Sequence, residues 1–306
     1  MIYSLKDNIL QKDSWDNFNS DKNNKYIYIC NFKELDNVSD KIGMDKELVS
    51  QCINGITSKF ESHFGFDYMA LMIPDMNNPL SDAERVCIYF NSNILMFICN
   101  DEEIITKYIG NLFEGNKNIL SIGRVLDLFL DKLTVEDTYV LENIEEEISE
   151  LEEGLFNSIN NECLKEIMIL RKKLLKLKRY YEQFCNIAEG IEENENGLID
   201  KKTIKSFRML TNRVNRLYSN VINLRDYVSQ VREAYQAQVD INQNNLMKVF
   251  TVVTTIFLPL TLIVGWYGMN LKMPEVDYPY SYPILICVSI IIVLISVIYF
   301  KKKKWF

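Results

Sequence analysis

Histidine is almost missing from these 306 residues, where His63 stands alone. That excludes histidine-rich metal clusters, and His63 itself is read first as a packed or surface residue. The seven cysteines (Cys30, Cys52, Cys87, Cys99, Cys163, Cys185, Cys287) are scattered, odd in number and without a CxxC pair. They are read as ordinary cytosolic thiols, not as a disulfide frame or a zinc site. Positive charge is in deficit, with Lys plus Arg at 34 against Asp plus Glu at 42, a net charge of -8. Nucleic acid is therefore not expected as a partner, since phosphate contacts need clustered positive charge. No glycine-rich phosphate loop or nucleophile arrangement is present, which argues against an enzyme. The opening "MIYSLKDNIL" has no basic-then-apolar leader, so no cleaved signal is expected.

What the chain does have is two long uncharged runs. Val249 to Leu271 and Tyr278 to Phe300 each hold about 23 residues without a charge. At about 1.5 Å per residue, each can cross a hydrocarbon core of roughly 30 Å. The linker "KMPEVDY" between them is too short for a domain, so the two spans form a tight hairpin. Lys248 precedes the first span and Lys301, Lys302, Lys303 and Lys304 follow the second, while the linker offers Lys272 against Glu275 and Asp277. The positive-inside bias predicts cytoplasmic termini and an outward loop, in the inner or plasma membrane of a cell. Trp266, Tyr267, Tyr278, Tyr280 and Tyr282 supply an outer aromatic belt, and Trp305 an inner one.

Ahead of the spans the chain reads as α+β, then as long helices. "KYIYICNF" (25–32) and "FDYMALMIP" (66–74) look like strands, and 85–101 like a hairpin turning at Asn91-Ser92-Asn93. "KELVSQCINGITSKFES" (46–62) has helical spacing. From Glu136 to Glu153 there are nine acids and no base; from Lys165 to Arg179 the sign reverses, with Glu166 the sole acid. Folding the chain at Ser158–Asn161 sets Glu153 near Lys165, Glu146 near Lys172 and Glu142 near Lys176. The charge blocks thus predict an antiparallel helix pair whose ion pairs set register. A site that gathers cations is the alternative reading of the acids.

From Lys201 no proline or glycine interrupts the chain until Pro259, so one helix should run from the stalk into the first span. It is too long to stay solitary and is expected to bundle with copies of itself. Asn244, Met247, Thr251, Thr254, Leu258, Thr261 and Gly265 recur at alternating spacings of three and four, with Gly268 next. One reading is a packing face glued by small polar residues. The other is a pore lined by hydroxyls and amides, in which Met247, Leu258 and Phe250 narrow the path. Spacing alone leaves both open.

The run "NNLMKVFTVVTTIFLPLTLIVGWYGMN" (244–270), "MPE" at 273–275, "YP" at 282–283 and the terminal "KKKKWF" resemble the CorA family of magnesium channels. The position of Gly-Met-Asn at the outer end of the penultimate span makes the resemblance specific. It covers 120–306 well and the N-terminal part in outline. It implies a funnel-shaped homopentamer in the lipid bilayer, with Mg2+ as the transported and regulatory ion. It also implies an outer selectivity ring at Gly268, Met269 and Asn270, in which Gly268 and Asn270 offer oxygens to the metal. Asn244, Met247, Phe250, Leu258 and Thr261 then face the pore, Glu275 belongs to the acidic loop, Lys301–Lys304 form a basic ring, and Glu233 is a candidate acid at the pore entrance. The expected divisions are an α/β domain (1–119), a charged hairpin (120–199), a stalk (200–248), a first span (249–267), an external loop (268–281), a second span (282–300) and a basic tail (301–306). One departure stands out: Phe207-Arg208-Met209 lies where the family carries Phe-Arg-Asp, so an acid expected to bind regulatory magnesium is absent. Transport of Zn2+, Co2+ or Ni2+, efflux, and a non-conducting membrane-anchored scaffold are the competing readings.

Overall fold

The computed structural model describes residues 1–6, 9–13, 24–55, 57–102, 105–106, 121–157, 161–270, 273–274, 278–303 and 305. They fall into two units, Met1–Arg232 and Glu233–Phe306. The first is built on a seven-stranded sheet. Its strands are β1 (Ile2–Lys6), β2 (Ile9–Asp13), β3 (Lys25–Asn31), β4 (Lys59–His63), β5 (Phe66–Ile73), β6 (Glu84–Asn91) and β7 (Ile94–Cys99). They lie in the order β2-β1-β3-β7-β6-β5-β4. β3 and β7 run parallel, and the other neighbours antiparallel. The β6–β7 turn falls at Asn91–Asn93, where the Asn91 carboxamide accepts the N–H groups of Asn93 (2.9 Å) and Ile94 (2.7 Å).

Strands β3, β5, β6 and β7 are apolar on both faces because both are covered. Tyr28, Cys30, Tyr68, Cys87 and Met96 pack under Leu35 and Val38 of α1 (Leu35–Ile42) and Leu48 and Cys52 of α2 (Lys46–Asn54). On the other face Phe97 meets Phe129 of α3 (Ile122–Lys132), ring centroids 4.8 Å apart. The helical spacing over 46–62 gives way halfway. Arg85 donates to the Gln51 and Ile53 carbonyls (3.0 and 3.4 Å) at the end of α2, and Lys59–His63 pairs with β5 instead. Cross-strand pairing there overrides local helical propensity.

Two long helices follow, α4 (Asp137–Asn157) and α5 (Asn161–Glu193), and then α6 (Lys201–Tyr267). The charge blocks do lie on α4 and α5, but an ion pair that joins them among the described residues is Lys173–Glu147 at 3.0 Å. Lys176 reaches the Leu80 and Ser81 carbonyls (2.8 and 3.0 Å) rather than Glu142. The expected pairing is shifted because the apolar contacts, worth more than exposed ion pairs, set the register. Part of the expected turn, Ser158 to Asn160, lies outside the described residues. Inside the pair, Tyr181 of α5 donates to Asp137 at 2.8 Å. Glycine is required at Gly190 of α5, where a Cβ would overlap the Phe60 ring.

The α5–α6 loop fastens the helices to the sheet. Asn196 donates to Ser62 Oγ, the His63 carbonyl and Asp67 Oδ1 at 2.7–2.9 Å, and accepts Gly65 N–H at 3.1 Å. Asp200 accepts the N–H groups of Lys202 and Thr203, both at 3.0 Å, and caps α6. Phe207, Leu210, Val214, Leu217, Val221 and Leu224 of α6 are buried, spaced alternately by three and four. Arg213–Asp131 (2.6 Å) and Tyr227–Glu152 (2.6 Å) flank that seam.

Replacing Asn196 with Ala should leave buried Asp67 with the Ser62 hydroxyl (2.9 Å) but without its amide donor, and lower the stability of this unit by about 2 kcal/mol. A thermal melt by circular dichroism checks this, and an unchanged midpoint refutes it. A second prediction concerns pH. Burial pushes the Asp137 carboxyl up from 3.8 to about 6, against the hydrogen bond from Tyr181. Folding therefore takes up a proton between those values, a stabilisation complete below 3.8 and lost as pH rises through about 6. Asp137→Asn should gain on the parent in melting temperature between about pH 3.5 and about pH 7.5, values chosen to bracket that window. Parallel curves would refute the assignment.

Candidate ion pathway

In the second unit, α6 continues to Tyr267, and α7 (Ser281–Lys302) follows the connecting loop. Windows of mean hydropathy 2.1 in α6 and 2.9 in α7 make both long and apolar enough to span a membrane. Over residues 249–267 of α6 the covered residues are Val252, Ile256, Pro259, Leu260 and Ile263. Ile263 and Tyr267 border an apolar groove with Ser281, Ile284, Leu285 and Val288 of α7. Asn244, Met247, Thr251, Thr254, Leu258, Thr261 and Gly265 are all exposed, as is Phe250 beside them. At about 100° per residue, this stripe and the covered side point roughly 150° apart. The predicted residues therefore share one side of the helix, and that side is uncovered, as is most of this part of α6.

Each threonine hydroxyl on the stripe is held in the same way. Thr251, Thr254 and Thr261 donate to the carbonyls of Met247, Phe250 and Phe257, each at 2.8 Å. Their only proton is thereby spent on the helix, and the oxygens present lone pairs. A hydrated cation turns its water protons outward, so its shell needs acceptors, and this stripe supplies neutral ones. Sequence reading passed over Thr255, which donates to the Thr251 carbonyl at 2.7 Å. It also passed over the consequence of Pro259, which lies inside the helix and has no N–H for the Thr255 carbonyl. Counting four residues back from the proline would have found it.

The helix ends in a tight turn over Gly268, Met269 and Asn270. Gly268 N–H donates to the Val264 carbonyl at 2.8 Å, and Met269 N–H to that of Trp266 at 3.4 Å. The glycine is not in a left-handed conformation. It is required because a Cβ would lie 2.8 Å from the Val264 oxygen, a backbone atom that cannot give way. Gly265 has open space around it. Met269 and Asn270 are exposed, and among the described residues no protein group holds the Asn270 amide.

Glu233 is exposed about three turns before Asn244, on the same side of α6. Glu275, Asp277 and Lys304 lie outside the described residues; Lys301, Lys302 and Lys303 are exposed at the end of α7. Met209 is 66% exposed, so the position where an acid was expected is apolar and uncovered. Among the described residues, no group of three or more His, Cys, Asp or Glu side chains could hold a metal ion.

The family model described as CorA-like Mg2+ transporter protein matches residues 27–302. The chain belongs to this family. It is 30% identical over 259 residues to the Cobalt/magnesium transport protein CorA of Thermotoga maritima, covering 81% of this chain and 72% of that one. The complete structure of the CorA magnesium transporter from Methanocaldococcus jannaschii shares its fold, with a TM-score of 0.82, 22% identity, and coverage of 100% of this chain and 99% of that one. The ZntB cytoplasmic domain from Vibrio parahaemolyticus also matches, with a TM-score of 0.65 and 14% identity, covering 78% of this chain and 97% of that one. Family membership makes this a membrane protein of a Mg2+ transporter family, not one of enzymes. It has the expected soluble α/β part, long helices and two candidate spans.

The turn geometry yields a prediction. Gly268→Ala should cut metal flux at least tenfold in reconstituted vesicles, a barrier change of about 1.4 kcal/mol. Assembly by size-exclusion chromatography should be unchanged. Gly154→Ala, which meets nothing and lies outside the stripe, is the control. Equal flux in both variants would show that the close approach to Val264 has no functional weight.

Proposed function

We propose that copies of this chain assemble as a homopentamer whose α6 stripes line a pore for Mg2+ uptake. The observation that carries the reading is the uncovered stripe of neutral acceptors leading to an unoccupied amide at Asn270. Mg2+ sheds its water reluctantly and is best passed with its shell intact. Five Asn270 amides, with Gly268 carbonyls, would meet that shell in the outer ring, and Met269 fills behind them. Glu275 and Asp277 of the outward loop would concentrate cations, and Glu233 would receive them at the cytoplasmic end. With both termini inside, an inside-negative potential supplies about 4.6 kcal/mol per 100 mV to a divalent ion, so no nucleotide is needed.

Gating by cytoplasmic divalent cation belongs to the same proposal. With Met209 in place of an acid, its ligands must include other residues. A second reading, transport of Co2+, Zn2+ or Ni2+, is favoured by the cobalt/magnesium relative from T. maritima and by the fold shared with the ZntB domain. A non-conducting scaffold would leave the acceptor stripe without a use.

Rescue of a magnesium-uptake-deficient bacterium tests the proposal, followed by dye-reported flux in proteoliposomes with imposed gradients of each metal. Asn270→Ala should abolish Mg2+ flux and leave the oligomer intact. Normal Mg2+ flux in that variant would falsify the ring. Flux of Zn2+ alone, or only outward, would select the second reading.

A further inference from the structure

Asn-Gly pairs are where a protein side-chain amide is lost most readily, because glycine puts no side chain in the way of its own nitrogen. The chain has two, Asn54-Gly55 and Asn196-Gly197. Both glycine nitrogens are engaged: Gly55 N–H donates to the Gln51 carbonyl and Gly197 N–H to the Asn194 carbonyl, each at 2.9 Å. The two amides differ. Asn54 is exposed at the end of α2, and its amide donates to Ser50 Oγ at 3.4 Å. The Asn196 amide is held at both ends. Its oxygen accepts Gly65 N–H at 3.1 Å, and its nitrogen, which has two protons, lies 2.7–3.2 Å from four oxygens. These are Ser62 Oγ, the His63 and Phe66 carbonyls and Asp67 Oδ1. The loop that carries Asn196 is braced in turn. The side chain of Asn194, a residue at φ 48°, donates to the Ile199 carbonyl and accepts Ile199 N–H, each at 3.0 Å.

All of these contacts bear on one reaction. Deamidation begins when the Gly197 nitrogen, losing its proton, bonds to Asn196 Cγ. The Cγ–Nδ2 bond breaks and ammonia leaves, giving a five-membered succinimide. Water then opens the ring at either carbonyl, to aspartate or to isoaspartate, so the net change is amide plus water to carboxylate plus ammonium. In the folded loop the attacking nitrogen and the leaving group are both hydrogen-bonded elsewhere. We propose that Asn196 is a deamidation site gated by local opening of the α5–α6 loop, and that the change is one-way, because the altered loop cannot close again as before. Aspartate would set a second carboxylate against Asp67, which is buried, and against two carbonyls, with no proton to offer them. Isoaspartate would add a backbone atom inside the turn that Gly197 N–H closes. The site lies wholly within the first unit, and its readout is independent of ion flux.

The full chain in detergent is aged at mildly alkaline pH, folded or in urea, and the peptides covering both Asn-Gly pairs are followed by mass spectrometry. In the folded chain Asn196 should react at least about tenfold more slowly than in urea, because only the open fraction can react. Asn194→Ala, which removes the brace, should speed Asn196 in the folded chain and leave Asn54 unchanged. Isoaspartate should form alongside aspartate. Asn196→Asp should melt below Asn196→Ala, since it adds a charge where alanine only removes a donor. Equal Asn196 rates in the folded chain and in urea overturn the gating, as does an Asn194→Ala rate that stays at the parent's or rises equally at Asn54. Aspartate without isoaspartate overturns the succinimide route. An Asn196→Asp protein that melts with the parent overturns the one-way step.

Discussion

The structure depends on one constraint, the two-sidedness of α6. In the first unit its buried residues recur every three or four positions from Phe207 onward, so one side of the helix is committed to its own chain. In the second unit the covered residues Val252, Ile256, Pro259 and Ile263 keep the same spacing, with Leu260 covered beside them. An α-helix with a 3.5-residue repeat on one side keeps a second straight stripe opposite. Within each unit, α6 holds that geometry over its own stretch. The apolar seam thus decides, by exclusion, which residues remain for a partner or for ions.

The sequence made the stripe legible because hydrocarbon imposes no need for polar residues, so Thr251, Thr254 and Thr261 were conspicuous. It could not say how the hydroxyl protons are used, because that depends on rotamers in the finished helix. The spans and the strands β3, β5, β6 and β7 were legible from hydropathy and turn chemistry. Strand β4 was not: Lys59–His63 continues the helical pattern of α2, and only pairing with β5 and the Arg85 cap at Gln51 reveal the break. The register of α4 on α5 was misjudged for a related reason. Charge blocks announce that two helices pair, but side chains of lysine length tolerate a shift along the axis. Packing then chose Lys173–Glu147 and sent Lys176 to the backbone at Leu80 and Ser81.

Gly268 is required for a reason that a motif letter does not state. A glycine at a helix end suggests a left-handed cap, as at Gly43, where φ is 76°. Gly268 is instead held by contact with the Val264 oxygen, which also accepts its N–H. The turn is therefore tied to the last turn of α6, and the position of Asn270 is tied to the helix as well. In the proposed pore, a filter built this way would move with α6 and not with the loop beyond it.

The same helix carries a weak point. Pro259 lies on the covered side of α6 and deprives the Thr255 carbonyl of its helical donor, between the Thr254 and Thr261 levels of the stripe. The Thr255 hydroxyl donates to the Thr251 carbonyl at 2.7 Å and so brings no donor to the Thr255 carbonyl, and back-bonding of this kind favours a bend. In the proposed pore, bending there would change the spacing of the two threonine levels while leaving the Gly268 turn intact. The neutral character of the stripe bears on the same point. Carboxylates at those levels would bind a divalent ion strongly enough to resist such motion, whereas hydroxyl oxygens hold only its water. A pathway that must both admit a hydrated divalent ion and release it is better lined by threonine than by aspartate.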